Sequence, residues 1–133
     1  MNYYEIERYK VAVSVSGSEL SEAGISIDDI LERTIRGWEY LRELKACAIQ
    51  STDYEWPGCA YSTEMKVMPE NGIVIIFSET VEDFVNGLKN SQKIADHGSI
   101  LLRELIKRIE TTDEEGARVI IRDFEKSIRE VNG

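Results

Sequence analysis

The stretch 27–49 constrains this chain more than any other. Its apolar residues fall at Ile27, Ile30, Leu31, Ile35, Trp38, Leu41, Leu44 and Ala48, in steps of three and four that lay one stripe along an α-helix. Ser26 precedes it as an N-cap, and Asp28 and Asp29 put negative charge on its positive first turn. Glu32 and Arg36, four apart, fall on the opposite, solvated side. Gly37 interrupts the helix at a cost of about 1 kcal/mol against Ala. A stripe centred on Trp38 needs a broad apolar surface, and the flanking sequence supplies strands to build one.

Before the helix, residues 3–16 alternate and are rich in β-formers, with Val11, Val13 and Val15 marking a buried strand face. Residues 18–23 make one or two helical turns stopped by Gly24 at the C′ position. After the helix, Pro57-Gly58 signals a turn, and residues 60–68 alternate with Tyr61, Thr63, Met65 and Val67 on one side. Pro69-Glu70-Asn71-Gly72 predicts a hairpin, with Asn71-Gly72 suited to positive φ. The run 73–77, Ile-Val-Ile-Ile-Phe, is apolar on both faces and reads as a central, doubly covered strand.

From Thr80 onward the pattern is helical, carried by Val81, Phe84, Val85, Leu88, Ala95, Leu102, Leu105, Ile106 and Ile109. Gly98-Ser99 either ends one helix and caps another or kinks a long one. Thr112-Asp113-Glu114-Glu115 has the form of a capping box. It opens a last helix with Ala117, Ile120, Ile121, Phe124, Ile128 and Val131 on one face, so residues 99–131 read as an antiparallel helical hairpin. The expected architecture is therefore α+β: a three-stranded, mainly antiparallel sheet on a long helix in the order β-α-α-β-β (residues 1–79), then a helical extension (residues 80–133).

Charge narrows the function classes. A formal net charge of −9 opposes non-specific nucleic-acid binding and docking on anionic membranes, which need basic surfaces. No apolar run has the length to cross a bilayer, and the start lacks the regions of a signal peptide, so a cytoplasmic protein is expected. Cys47 and Cys59 read as reduced thiols, Cys47 as inert packing beside the stripe and Cys59 as the more accessible. His97 stands alone and no CxxC is present, so neither a metal centre nor a cofactor site is expected. No phosphate loop, nucleophile elbow or calcium loop occurs, and the acid pairs Asp28-Asp29 and Glu114-Glu115 are explained by helix dipoles. The spacing describes a non-enzymatic protein.

Two features invite a binding reading. Tyr54 and Trp56 place two large aromatics in one loop, where they either anchor an interface or cover one end of the sheet. Arg33 and Arg36, with the flanking acids, form the polar face of the long helix, which is either a binding surface or simply a solvated face. In the hairpin, Leu102, Ile106, Ile121 and Phe124 carry apolar faces that either fold back on the domain or pair with a second copy in a homodimer.

An ordered run of pieces resembles one family. Ile6-Glu7-Arg8 at the start, Glu19-Leu20-Ser21-Glu22-Ala23-Gly24-Ile25 with Asp28 and Asp29 after it, and Arg33, Arg36-Gly37 and Tyr40-Leu41 within the helix are similar to the N-terminal domain of the MecA-type adaptor proteins, negative regulators of genetic competence. Residues 65–75, Met-Lys-Val-Met-Pro-Glu-Asn-Gly-Ile-Val-Ile, and the closing Ser78 resemble that domain's second strand, turn and third strand. The resemblance spans about residues 5–80 and implies an adaptor that holds protein substrates in regulated proteolysis. The family delivers them to a Clp-type unfoldase through a second α/β domain after an acidic linker. Residues 80–133 read as a helical segment and not as that linker and domain, so no residue of the unfoldase-binding surface carries over to them. The rival expectation is a structural dimerisation module whose α+β part binds a small ligand.

Overall fold

The computed structural model describes residues 1–58, 62–94 and 100–132, with side chains for 1–58, 62–90 and 100–127. Two compact units emerge, Met1–Trp56 with Thr63–Ser78, and Glu79–Gly133 with Pro57–Ser62. Cys59, Ala60, Tyr61, Ala95, His97 and Gly98-Ser99 fall outside the described residues, as do the side chains of Ile128 and Val131.

The first unit is α+β, with a four-stranded sheet where three strands were expected. Its elements are β1 (Asn2–Glu7), β2 (Lys10–Val15), α1 (Gly17–Ala23), α2 (Ile27–Leu31), α3 (Ile35–Gln50), β3 (Ser62–Val67) and β4 (Ile73–Ser78), with strand order β1-β2-β4-β3. The extra strand arises because residues 3–16 are not one strand. They fold back at Arg8-Tyr9, with Tyr9 at φ 68°, and β1 pairs antiparallel with β2 from Asn2↔Ser14 to Glu7↔Lys10. No Gly, Asn or Pro marks this turn. β2 pairs antiparallel with β4, setting Val11, Val13 and Val15 beside Phe77, Ile75 and Ile73 on one buried face. β4 is central, as its double hydrophobicity predicts. The β3–β4 turn falls where expected, but Glu70 (φ 65°) and Asn71 (φ 63°) carry the positive angles, one residue earlier than read.

The long helix is likewise broken. Ser26 caps α2 as anticipated, accepting from the Asp29 N–H at 3.1 Å while the Asp29 carboxylate accepts from the Ser26 N–H at 3.1 Å. The chain then turns at 32–34, where Arg33 takes φ 52°, and restarts with Thr34 capping α3 through the Gly37 N–H at 3.2 Å. The Thr34 hydroxyl also donates to Asp29 Oδ1 at 3.2 Å, joining the two caps in one chain of hydrogen bonds. Glu32 and Arg36 consequently belong to no common helix. The break rotates the stripe. Gly37, Leu41, Leu44 and Ala48 face inward, whereas Trp38 is 48% and Ile35 80% exposed. Gly37 is the point of closest approach: a Cβ there would collide with the Asp29 carbonyl. Its glycine is thus a packing requirement rather than a flaw. Gly24 closes α1 at φ 70°, in the left-handed conformation predicted for it. Cys47 is exposed, not packed inside.

The second unit contains α4 (Val81–Ile94), α5 (Ile100–Glu110) and α6 (Glu114–Asn132). Phe84 and Val85 of α4 join Ile106, Ile109, Ala117 and Ile121 in one core, so α5 and α6 do not stand alone as a hairpin. Phe84 meets Phe124 edge-on, with centroids 6.4 Å apart, and Lys89 pairs with Glu110 at 2.7 Å. The cap of α6 is Asp113, not Thr112, since Asp113 Oδ1 accepts the Gly116 N–H at 2.8 Å. Of the residues expected at a dimer face, Ile106 (7% exposed) and Ile121 (1%) are interior to this unit, and Leu102 and Phe124 are half-buried. α4 thus covers part of the stripes of α5 and α6, while Leu101 stays 77% exposed. Among the described residues no helix is long and apolar enough to cross a membrane.

Candidate functional site

The candidate site is an aromatic cluster where the β1–β2 hairpin meets the chain leaving α3. α3 ends in two side-chain bonds to carbonyls of its last turn, each of which also accepts a backbone N–H: the Ser51 hydroxyl donates to Ala48 O at 2.6 Å and the Thr52 hydroxyl to Ile49 O at 2.6 Å. These bonds stop the helix without glycine and direct residues 53–56 back toward the sheet. Trp56 then returns its indole N–H to Thr52 Oγ1 at 3.0 Å, fixing the loop to the helix end.

Tyr54 ties that loop to the hairpin. Its hydroxyl donates to Glu5 Oε1 at 2.6 Å and accepts from the Tyr9 N–H at 3.1 Å. The second bond satisfies a backbone donor at the very residue held at positive φ, so a side chain 45 positions away supports the turn. Tyr9 stands edge-on to both other rings, 5.4 Å from Tyr54 and 6.0 Å from Trp56, which lie nearly parallel to each other at 6.4 Å. The Arg8 guanidinium lies over Tyr54 at 4.6 Å and over Tyr9 at 5.2 Å, distances at which a cation is attracted by the ring faces. Burial pushes the Tyr54 hydroxyl above the ordinary tyrosine range, and its bond to the Glu5 carboxylate pushes the same way; the Tyr9 N–H and the Arg8 charge oppose them. Tyr54 is therefore a neutral hydrogen-bonding post.

Trp56 packs against the first unit's core and stays half-exposed, as Tyr9 and Tyr54 do, while Arg8 and Glu5 are exposed. The surface so made is a rigid aromatic patch rimmed by one cation and one anion. Tyr, Trp and Arg are the residue types that dominate binding energy at protein interfaces, and locked rotamers lower the entropy lost on contact.

Of the four predicted binding residues, Tyr54 and Trp56 come together and Arg33 and Arg36 do not join them. Arg33 occupies the α2–α3 break and Arg36 the first turn of α3. The 16 residues of α3 separate them from Tyr54, about 24 Å at 1.5 Å per residue. Arg36 instead lends its charge to Asp29, whose carboxyl is held below the ordinary range chiefly by the Ser26 N–H, then by the Ser26 and Thr34 hydroxyls. Glu5, Arg8 and Tyr9 escaped the sequence reading because the alternation through residues 3–16 conceals the turn.

Elsewhere in the unit an open depression of about 450 Å³ lies beside Leu20, Ile25, Ile27 and Val67. Among the described residues no three His, Cys, Asp or Glu side chains gather in a way that could hold a metal ion. Compared with family models, curated proteins and solved structures, the chain matches none.

Proposed function

We propose that this chain is a non-enzymatic protein-binding adaptor or regulator, and that its α+β unit holds a partner protein at the Arg8–Tyr9–Tyr54–Trp56 patch. The observation that carries the reading is the half-exposed set of three aromatic rings in mutual contact, two of them under the Arg8 guanidinium. The resemblance to the MecA-type substrate-binding domain supports it, since several residues of that resemblance build local structure here. Glu19 completes the cap of α1, Gly24 ends it, Asp29 completes the cap of α2, Gly37 admits the close approach, and Glu70-Asn71 makes the β3–β4 turn. A role in Clp-dependent proteolysis extends the same proposal and assigns the unfoldase contact to no residue of this chain.

The test is site-specific photocrosslinking in lysate of the source organism. A benzophenone side chain at Glu55, exposed between Tyr54 and Trp56, should trap one defined partner. The same probe at Lys107, on α5, should not trap it. Trapping at Lys107 alone, or identical bands from both positions, would overturn the reading.

A further inference from the structure

The outer edge of β1 leaves backbone chemistry unused beside the aromatic patch. β1 is the terminal strand of the sheet and pairs on one side only, with β2. In an antiparallel edge strand alternate residues turn both N–H and C=O away from the sheet. Among the described residues of this unit, no backbone hydrogen bond from elsewhere reaches Asn2–Glu7. Five of its six residues are exposed. Sheet edges are usually blunted by charged side chains, lysine above all, by proline, a bulge or a cover. β1 contains neither proline nor lysine; its charges are Glu5 and Glu7, which repel an acidic strand and attract a basic one, and its register shift between them lies at the hairpin end.

We infer that β1 accepts an extended segment of a partner protein as a fifth strand, one that alternates apolar and basic residues. The inference rests on the protein-binding reading above and names the form of the partner. Pairing to β2 sets Tyr3 and Glu5 on one face of the sheet and Tyr4 on the other. Tyr4 (56% exposed) and Ile6 (50%) offer apolar surface to alternate side chains of an added strand. Glu5 offers a carboxylate on the opposite face, and Glu7 adds another at the hairpin end, within a chain of net charge −9. Opposite charges across neighbouring strands stabilise and like charges destabilise. The same argument disfavours a second copy of this chain. The antiparallel register that sets Tyr4 beside Ile6 of a copy also sets Glu5 against Glu5, between two molecules that already repel. The edge is continuous with the patch, since Glu5 Oε1 accepts from the Tyr54 hydroxyl and Arg8-Tyr9 is the turn that follows β1.

The probe is the capped peptide Lys-Val-Lys-Val-Lys-Val, added to the full chain while amide hydrogen exchange is followed residue by residue. Saturable slowing of alternate amides within Asn2–Glu7 is expected. Methylating the peptide's alternate backbone nitrogens should abolish the slowing in one of the two possible patterns and spare it in the other. A Glu-for-Lys peptide should give none. Absence of protection at millimolar peptide, protection confined to other elements, or equal action of both methylated peptides would overturn strand addition. Protection that grows with protein concentration without peptide would assign the edge to a second copy and overturn it too. Crosslinking from Glu55 without β1 protection sinks this inference and leaves the binding reading standing. Protection of β1 without a Glu55 crosslink would keep a protein-binding edge and remove the aromatic patch from the contact.

Discussion

Replacing Gly37 by alanine sets two effects of known sign against each other. In an exposed helix interior the change stabilises by about 1 kcal/mol, because alanine loses less backbone entropy. At Gly37 the new methyl would drive into the Asp29 carbonyl, with the Ile30 nitrogen 3.0 Å away. Both obstacles are backbone, so no side chain can swing aside and α2 must move from α3. Such overpacking costs about 1–3 kcal/mol, and the shift also strains the Thr34–Asp29 hydrogen bond at 3.2 Å and the Gly37–Thr34 cap at 3.2 Å. Subtracting the propensity gain leaves about 0–2 kcal/mol, and the strained hydrogen bonds add about 1 kcal/mol, so the net expectation is destabilisation of about 1–3 kcal/mol. Gly87, on α4, supplies the control, for a Cβ there meets nothing within 4 Å. Gly87→Ala should stabilise the helical unit by up to about 1 kcal/mol. Urea unfolding separates the two, since both tryptophans, Trp38 and Trp56, lie in the α+β unit: Gly37→Ala should shift the midpoint read by their emission, and Gly87→Ala only the circular dichroism, to which the helices of both units contribute. A Gly37→Ala protein as stable as the parent, or more so, would refute the close crossing of α2 and α3.

Trp38→Ala should cost less than about 1 kcal/mol because the ring is 48% exposed, whereas Leu44→Ala should cost about 2–5 kcal/mol from the core; comparable losses in urea would restore Trp38 to the interior. Asp29 has a depressed folded-state pKa, so its contribution is present above the unfolded carboxylate value of about 3.9 and fades as pH falls through the folded one. Acid titration of tryptophan emission should therefore show Asp29→Asn less sensitive to acid than the parent, and an unchanged acid limb would contradict the cap. Ile121→Glu should unfold the helical unit, at a cost above about 3 kcal/mol, because it buries an unpaired charge at a position 1% exposed; a well-folded monomer from a parental dimer would instead place Ile121 at an interface.

How far the fold could be read from the chain depended on the range of the forces involved. Ser26, Gly24 and the alternation of Val11, Val13 and Val15 act over a few residues, and each is found in its anticipated role. The unbroken helix over 27–49 failed because its periodicity continues across a kink that Thr34 and Asp29 stabilise through hydrogen bonds, not through apolar spacing. β1 was hidden for a related reason: its turn is supported by the Tyr54 hydroxyl, which neighbours it only in three dimensions. The site divides along the same line. Tyr54 and Trp56 were visible as loop aromatics, but Tyr9 and Arg8 became their partners only through long-range pairing. Arg33 and Arg36 were grouped with them by polarity alone, and the length of α3 keeps them apart.

The central claim is that the hairpin patch binds a protein, and the most direct measurement is the affinity of the partner trapped from Glu55 for the parent and for Trp56→Ala and Arg8→Ala. Both changes should weaken binding at least tenfold, which is about 1.4 kcal/mol, in proteins whose circular dichroism and unfolding by urea confirm an intact α+β unit. Arg36→Ala, at the far end of α3, should leave the affinity unchanged. Equal affinities for the parent and both patch variants, or a loss on Arg36→Ala alone, would contradict the account.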